Sequence, residues 1–485
     1  MTRVGFLSTV IADLGDTFFF VAPLTCVPLI VAILFAEWQM LLPMATVPVI
    51  FLILGLVLSR LPKTGHGQHL STAMCSVALF WLICAAVSGI PFILGLKMSF
   101  TDALFEGMAG WTGTAFTMTQ DLSAIPATLL FWRSYMQWIG GIGIIAFSIA
   151  MASSTGLFTT RMLRSESREE PLIRGVITAG KSLYGIYALL TFLAIGLILF
   201  TGLSLWESVN LALTTISTGG FTLHPEGILY YQSIQLEMIL IPIMIAGALP
   251  FKLYYLIKTN RRWSSFGDEQ VRLFFLLLAA GTAVITFDLV YFDSVNIVTA
   301  LREGVFMSVS ALTTTGFQNV NPGIWTGATV LFLTMLVFIG GATGSPAGGI
   351  KLNRVAMAYR GLLWWFKRAF VSEKVLIPFR IEGKAVPQVT AEVETAKNML
   401  VIILSVATIF IATLCVLQFH ITSYAITDVL FEVVSAFSTC GMSTGYVSAE
   451  MPVISKWIFI LLMWIGRLEV IPVMMLFVAI FRGPK

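Results

Sequence analysis

Charge is scarce in this chain. Of its 485 residues only 11% are Asp, Glu, Lys or Arg, against 57% apolar, whereas soluble domains carry about 25% charged residues. A water-soluble globule is excluded. Cysteines number five and histidines four, and neither type clusters. Cys26, Cys75, Cys84, Cys415 and Cys440 are scattered, four of them in apolar runs, so they read as buried free thiols and not as a disulfide framework or a metal set. His66 and His69 form a short His-x-x-His without a third ligand, and His224 and His420 stand singly on the outer side. No phosphate loop, dinucleotide fingerprint, zinc-protease helix or Ser/His/Asp arrangement stands out. An integral membrane enzyme therefore lacks its convergent residues, and so does energy coupling by the chain itself.

What is abundant is apolar run length. Ten spans, near 18–36, 40–59, 72–95, 128–152, 179–202, 232–257, 273–292, 326–358, 396–418 and 456–481, are each suited to crossing a hydrocarbon core of about 30 Å. Met1-Thr2-Arg3 is followed by Asp13 and Asp16 ahead of the first span, which predicts no cleavable signal. Basic residues concentrate in 60–71, 160–181, 258–272, 359–390 and both termini, while the alternate loops hold Lys97 and Lys456. That asymmetry predicts cytoplasmic termini and basic loops. The net charge of +4 thus reports topology, not nucleic-acid binding.

Four short runs of small hydroxyl residues end at a tiny residue: Thr112-Gly113-Thr114-Ala115, Ile216-Ser217-Thr218-Gly219, Thr313-Thr314-Thr315-Gly316 and Ser438-Thr439-Cys440-Gly441. Thirteen positions before the tiny residue stand Asp102, Trp206, Glu303 and Asp428, with Glu207 one step late in the second copy. Ten positions before it stand Phe105, Val209, Phe306 and Phe431. Each copy sits in a unit of span, half-length segment, extended polar stretch and span, at about 72–152, 179–258, 273–361 and 396–482. The half segments are too short to cross, and such re-entrant backbone survives at membrane depth only inside protein or along a water-filled cavity. Acids at their starts cap free N–H groups, which leaves the partly negative ends pointing inward at a cation. Four copies predict a ring of similar segments around one axis.

Ions shed water when oxygens replace it. Backbone carbonyls do so where glycine permits positive φ, and neighbouring Thr and Ser keep the surroundings small and polar. No acid lies in the four segments themselves; Asp121, Glu226 and Glu450 follow within about ten residues as an outer funnel. Ala115 departs from Gly219, Gly316 and Gly441. Its Cβ disfavours positive φ, which predicts one carbonyl turned away or a widened ring; the alternative is a harmless substitution in an asymmetric ring.

Inside the span 326–358 lies Gly340-Gly341-Ala342-Thr343-Gly344-Ser345-Pro346-Ala347-Gly348-Gly349, followed by Ile350 and Lys351. So much Gly with a Pro cannot remain a regular helix, and a flexible loop able to block or open the cavity is expected. Arg467, near the middle of the last span, is read as an electrostatic barrier in the pore, with a buried structural ion pair as the alternative. Glu469, two residues on, lies on another helix face and is a poor partner for it. Lys252 and Arg133 are expected to snorkel.

These features meet in one resemblance. Phe105-Glu106, Gln137-Trp138-Ile139-Gly140-Gly141-Ile142-Gly143-Ile144-Ile145, Ser217-Thr218-Gly219-Gly220-Phe221, Thr313-Thr314-Thr315-Gly316-Phe317, Phe338-Ile339-Gly340-Gly341 to Gly348-Gly349-Ile350-Lys351, and Gly466-Arg467-Leu468-Glu469-Val470 resemble the Trk/Ktr/HKT superfamily of potassium transporters, most closely the bacterial Trk-type membrane subunit. The likeness covers about 72–485, and the first two spans match the extra pair of the Trk branch. It implies an all-α polytopic membrane protein: two leading transmembrane helices (1–71) and four helix–pore-loop–helix repeats (72–160, 161–258, 259–361 with the gating loop, 362–485) in pseudo-fourfold arrangement. It implies a channel-like potassium uptake transporter of the bacterial inner membrane, working as a homodimer under a cytoplasmic nucleotide-binding ring protein, with K+ as cargo and no organic cofactor. The family's filter glycine maps onto Ala115, Gly219, Gly316 and Gly441. Plant relatives with Ser at the first position are associated with sodium, so a sodium-permeable transporter is one alternative. An alternating-access carrier is the other, although the four units run parallel and not inverted.

Overall fold

The computed structural model describes residues 3–63, 70–119, 121–161, 170–260, 268–371, 377–381, 384–419 and 423–482; His66, His69 and His420 lie outside them. The described chain is helical apart from loops and one small hairpin. Among the described residues, six helices are long and apolar enough to cross a membrane, or eight if two sharply bent pairs each count as one span.

The leading pair is α1 (Arg3–Leu24), continued after a break at Thr25-Cys26 by α2 (Val27–Leu34), and α3 (Trp38–Leu58). Helix α1 begins well before the expected span. Asp13 and Asp16 stay helical, and Lys63 beyond α3 reaches both, at 2.9 and 2.6 Å. Gly55 lets α3 lie against Phe19, where a methyl would come within 2.8 Å of backbone nitrogen, and Phe18 stacks on Phe51 at 5.4 Å. The α2–α3 corner also reaches the repeats: Glu37 accepts from the amides of Ala127 and Thr128 at 2.7 and 2.9 Å, where its charge suits a helix N-terminus.

Then one unit recurs four times. The first is α4 (Leu70–Leu96), half-helix α5 (Phe100–Thr112) and return helix α6 (Ala127–Arg161). The second is α7 (Glu170–Leu199), half-helix α8 (Leu205–Ile216) and α9 (Ile234–Ala248) with α10 (Phe251–Asn260). The third is α11 (Glu269–Tyr291), half-helix α12 (Ile297–Leu312), α13 (Gly327–Ile339) and α14 (Leu352–Ala369). After a hairpin, the fourth is α15 (Gln388–Phe419), half-helix α16 (Ile426–Phe437), and α17 (Val453–Arg467) with α18 (Ile471–Phe481). Each half-helix packs on both long helices of its own unit and on the return helix of the unit before it. Thus α8 touches α6, α12 touches α9, α16 touches α13, and α5 touches α17, so the fourth unit closes on the first.

Small residues set these distances. A methyl on Gly140 would fall 2.1 Å from Trp111 O, on Gly247 2.8 Å from Ile216 O, and on Gly466 1.6 Å from Phe437 O. In three units, then, a return-helix glycine admits the last turn of a half-helix, the small-residue approach that membrane interiors favour.

Besides the first, which breaks at Thr25-Cys26, three expected spans are not single helices. The stretch 232–257 bends by 88° between α9 and α10, and 456–481 bends by 107° between α17 and α18. The stretch 326–358 is α13, an irregular loop and the start of α14. The acids at the half-helix starts also differ from expectation. Asp102, Glu207 and Asp428 occupy the first turn, but Glu303 lies farther in because α12 has 16 residues against 12 or 13 in the others. The hairpin between α14 and α15, β1 (Phe379–Ile381) with β2 (Lys384–Val386), was not anticipated; it is antiparallel with Phe379 opposite Val386.

Candidate permeation site

All four half-helices end the same way. The amides of Gly113, Thr218, Thr314 and Thr439 bond three residues back, at 3.0 to 3.3 Å. The amides of Thr114, Gly219, Thr315 and Cys440 bond five residues back, at 2.7 to 3.0 Å. This is a Schellman cap, which needs a left-handed residue just past the helix. Gly113, Thr218, Thr314 and Thr439 supply it, with φ of 70°, 52°, 53° and 48°.

Counting from the cap corrects the sequence register in the second unit. Gly220, not Gly219, stands where Gly316 and Gly441 stand; their φ values are 78°, 87° and 83°, and Gly219 has no positive φ. The shift puts Glu207 in step with Asp102, Glu303 and Asp428, so the irregular second copy vanishes, and Asn210 replaces Val209 opposite the three Phe residues. The first unit's counterpart is Ala115, whose φ is not positive.

The four corners meet. A methyl built on Gly220 would sit 1.8 Å from Thr315 O, one on Gly316 2.1 Å from Cys440 O, and one on Gly441 2.0 Å from Ala115 N. A methyl on Gly113 would lie 3.7 Å from Gly219 Cα, which completes the circuit. The Ala115 methyl lies 3.2, 3.2 and 2.6 Å from where Gly220, Gly316 and Gly441 would carry theirs. It therefore occupies the space on which all four corners converge. Of the sixteen residues expected to form the lining, Thr112 to Ala115, Ile216 to Gly219, Thr313 to Gly316 and Ser438 to Gly441, only Ala115 is not fully buried.

The glycine-rich loop lies directly beneath. Gly340, Gly344, Gly349 and Lys351 all adopt positive φ, and amides 350, 351 and 352 bond back to carbonyls of 338, 339 and 341, which ties the loop's neck. At its tip Gly348 N donates to Thr314 Oγ1 at 2.6 Å and Gly349 N to Ser438 O at 3.1 Å. A methyl on Gly348 would meet Ser438 O at 1.8 Å. The break between α9 and α10 holds the other side through Ala342 N to Ala248 O and Phe251 N to Gly344 O, both 3.1 Å. Ser345 Oγ bonds Ala342 O at 2.7 Å, and buried Lys351 donates to Ala347 O.

Arg467 closes the assembly. Its Nη1 donates to Pro346 O at 2.7 Å and its Nη2 to Gly140 O at 3.2 Å. The same Nη1 lies 3.8 Å from where a methyl on Gly113 would be. It makes no ion pair among the described residues, and Glu469 pairs with Arg354 of α14 instead. Past Arg467 the chain turns through Glu469 and Val470 at φ 63° and 65°, a strained conformation for a β-branched residue.

Residues 45–484 match the family model described as TrkH, cation transport protein. An uncharacterized cation transporter of Methanocaldococcus jannaschii is 31% identical over 96% of this chain and 94% of its own length. The chain belongs to the TrkH family. The Trk system potassium uptake protein TrkH of Halomonas elongata is 28% identical over 94% of this chain and 95% of that protein. The crystal structure of the potassium transporter TrkH from Vibrio parahaemolyticus shares the fold, with a TM-score of 0.84 at 22% identity, over 97% of this chain and 98% of that one. The chain is thus a Trk-type membrane subunit, one of a family of transporters and not of enzymes.

This TrkH-family chain also fixes its segments with residues the sequence did not single out as site residues. Glu106 Oε1 accepts from Met118 N at 2.6 Å and from the Thr117 hydroxyl. Glu432, at the matching position of α16, accepts from the amides of Thr444, Gly445 and Tyr446 at 2.8 to 3.0 Å. Glutamines do similar work by clamping both polar groups of the backbone. Gln137 binds Gly219 O and Phe221 N at 2.8 and 3.1 Å, and Gln318 binds Ser443 O and Ser443 N at 2.8 and 3.0 Å.

Arg133 does not snorkel. It is buried, pairs with Glu106 at 3.3 Å and lies 4.0 Å over the Phe221 ring, linking the first and second segments. A polar residue nine positions before the corner, as at Glu106 and Glu432, was the available sequence signal. Asp121, Glu226 and Glu450 are exposed, and the Ser123 hydroxyl and amide hold the Asp121 carboxyl below its ordinary value.

Proposed function

We propose that this chain is the pore subunit of a potassium uptake system, passing dehydrated monovalent cations through a pseudo-fourfold filter of backbone oxygens. The observation that carries it is the convergence of Gly220, Gly316, Gly441 and Ala115 in one circuit of backbone contacts. Half-helices aim their partly negative ends there, which favours a cation at the centre. Similarity to a protein named for Trk system potassium uptake supports K+ as the cargo. The loop 340–349 and Arg467 form the gate below: the loop abuts Thr314 and Ser438, and the guanidinium latches it to α6. The subunit works as a homodimer in the cytoplasmic membrane, termini inside, under a cytoplasmic nucleotide-binding ring protein. The basic-loop asymmetry supports the orientation, and the family resemblance supports the partners.

A second reading, sodium permeation, is favoured by one observation: the Ala115 methyl lies within 3.2 Å of where the other three corners would carry theirs, which would disturb even coordination of a bare ion. Reversal potentials of purified protein in bilayers, potassium on one side and sodium on the other, decide between them. A potential near the potassium limit supports the first reading, and one near zero the second. Current at fixed voltage without proton or sodium counterflow excludes an alternating-access carrier.

A further inference from the structure

Helix α14 leaves the loop and carries a basic groove at its far end. A cavity of about 380 Å³ lies between α14 and the hairpin, walled by Leu363, Trp364 and Phe379 and ringed by Arg360, Lys367 and Arg380. The hairpin is pinned there, with Trp364 Nε1 donating to Ile377 O at 2.9 Å and Phe379 set edge-on to the Trp364 ring at 5.5 Å. Arg360 is paired with Glu269. No carboxylate among the described residues pairs with Lys367 or Arg380, and both are exposed. Among the described residues, the groove therefore presents Lys367 and Arg380 without paired carboxylates above an apolar floor.

Position and flank say what fits. Lys367 lies 16 residues beyond Lys351, about 24 Å along a helix. The groove also lies in 359–390, one of the basic stretches that flank the spans, where Lys and Arg meet anionic headgroups. The face next to it carries Tyr359 and Phe366 of α14 and Phe370 at its end, 62%, 46% and 86% exposed in the single chain. Aromatic side chains beside clustered Lys and Arg are the composition of a membrane interface. A soluble anion would use the cations but not this aromatic flank.

We propose that the groove binds an anionic glycerophospholipid of the leaflet that borders this face, with its phosphate between Lys367 and Arg380 and its acyl chains along the aromatic flank. The lipid would brace the hairpin against α14, the helix that emerges from the gate loop. The proposal is independent of which ion permeates.

The test is native mass spectrometry of the full-length protein titrated with phosphatidylglycerol, phosphatidylcholine or glycerol 3-phosphate, with wild type and the double variant Lys367→Gln, Arg380→Gln. Both positions are exposed, and an unchanged melting temperature shows that the variant is folded. Wild type is expected to prefer phosphatidylglycerol, and the variant to lose roughly fivefold in affinity per charge removed, on the order of twentyfold together. High salt should weaken that preference. Equal phosphatidylglycerol affinity in both proteins would overturn the proposal, as would equal binding of phosphatidylcholine. Glycerol 3-phosphate binding as tightly as the lipid would make this a soluble-anion site. A variant that keeps the lipid but loses a cytoplasmic protein partner would make it a protein-docking surface.

Discussion

In the first pore segment glycine occupies the left-handed cap, Gly113, and alanine the corner two residues on; in the other three threonine caps and glycine turns the corner. Threonine at φ near 50° costs about 1–2 kcal/mol, so its side chain has a use. Thr314 spends its hydroxyl on the loop, accepting from Gly348 N at 2.6 Å. At Gly113 the missing side chain leaves room instead for the Arg467 guanidinium. In the first, third and fourth segments the cap is thus where the segment meets the glycine-rich loop or Arg467, whereas Thr218 turns its hydroxyl to Ser217 O; the corner is where the segments meet one another. The two positions answer to different neighbours, which is why glycine can change places between them.

The strongest test of that division is Gly220→Ala or Gly316→Ala. Each adds a methyl at positive φ within 1.8 or 2.1 Å of a neighbouring carbonyl oxygen. Strain on the order of 3 kcal/mol should cut potassium flux into proteoliposomes about a hundredfold; wild-type flux would remove these corners from the ion path. Next comes Arg467→Ala, which releases the bonds to Pro346 and Gly140. Flux without any cytoplasmic partner should rise about tenfold, as loss of charge-assisted hydrogen bonds biases the loop toward release. Flux at or below wild type in folded protein would deny Arg467 a latch role. Ala115→Gly should raise the potassium-to-sodium permeability ratio by up to about tenfold, or 1.4 kcal/mol. An unmoved ratio would make alanine at the corner a tolerated substitution. The smallest effect belongs to Gly113→Ala, where the nearest atom would be 3.7 Å away. Only the backbone penalty remains, about 1 kcal/mol of stability, read as a few degrees of melting temperature. A loss of selectivity there would break the separation of cap from corner.

The half-helices and the loop were legible in the sequence because hydroxyl runs and a Gly-Pro cluster have no other use inside apolar spans. The second register was not: Gly219-Gly220 satisfies the pattern in either frame, and only φ chooses between them. The bend at Leu249-Pro250 was missed because one Pro in an apolar run does not by itself end a span, and the one at Leu468-Glu469-Val470 because the apolar run resumes directly after Arg467 and Glu469. Val470 at φ 65° contradicts its own preference; it is buried, and beside it Glu469 is held by Arg354 of α14. Arg133 looked like a membrane-edge residue because its partners, Glu106 and Phe221, are remote in sequence.

The contact between α5 and α17 has a consequence for biosynthesis. Lys456 of α17 meets Asp102 of α5 at 2.6 Å across 354 residues of chain, and α17 covers a face of α5 that no earlier return helix covers. As translation inserts one unit after another, the nascent chain holds an open arc of half-helices whose last gap faces lipid or water. The corner at 441, which is the neighbour of Ala115, arrives near the end of synthesis. An incomplete chain therefore lacks the closed ring of half-helices on which the proposed conduit depends.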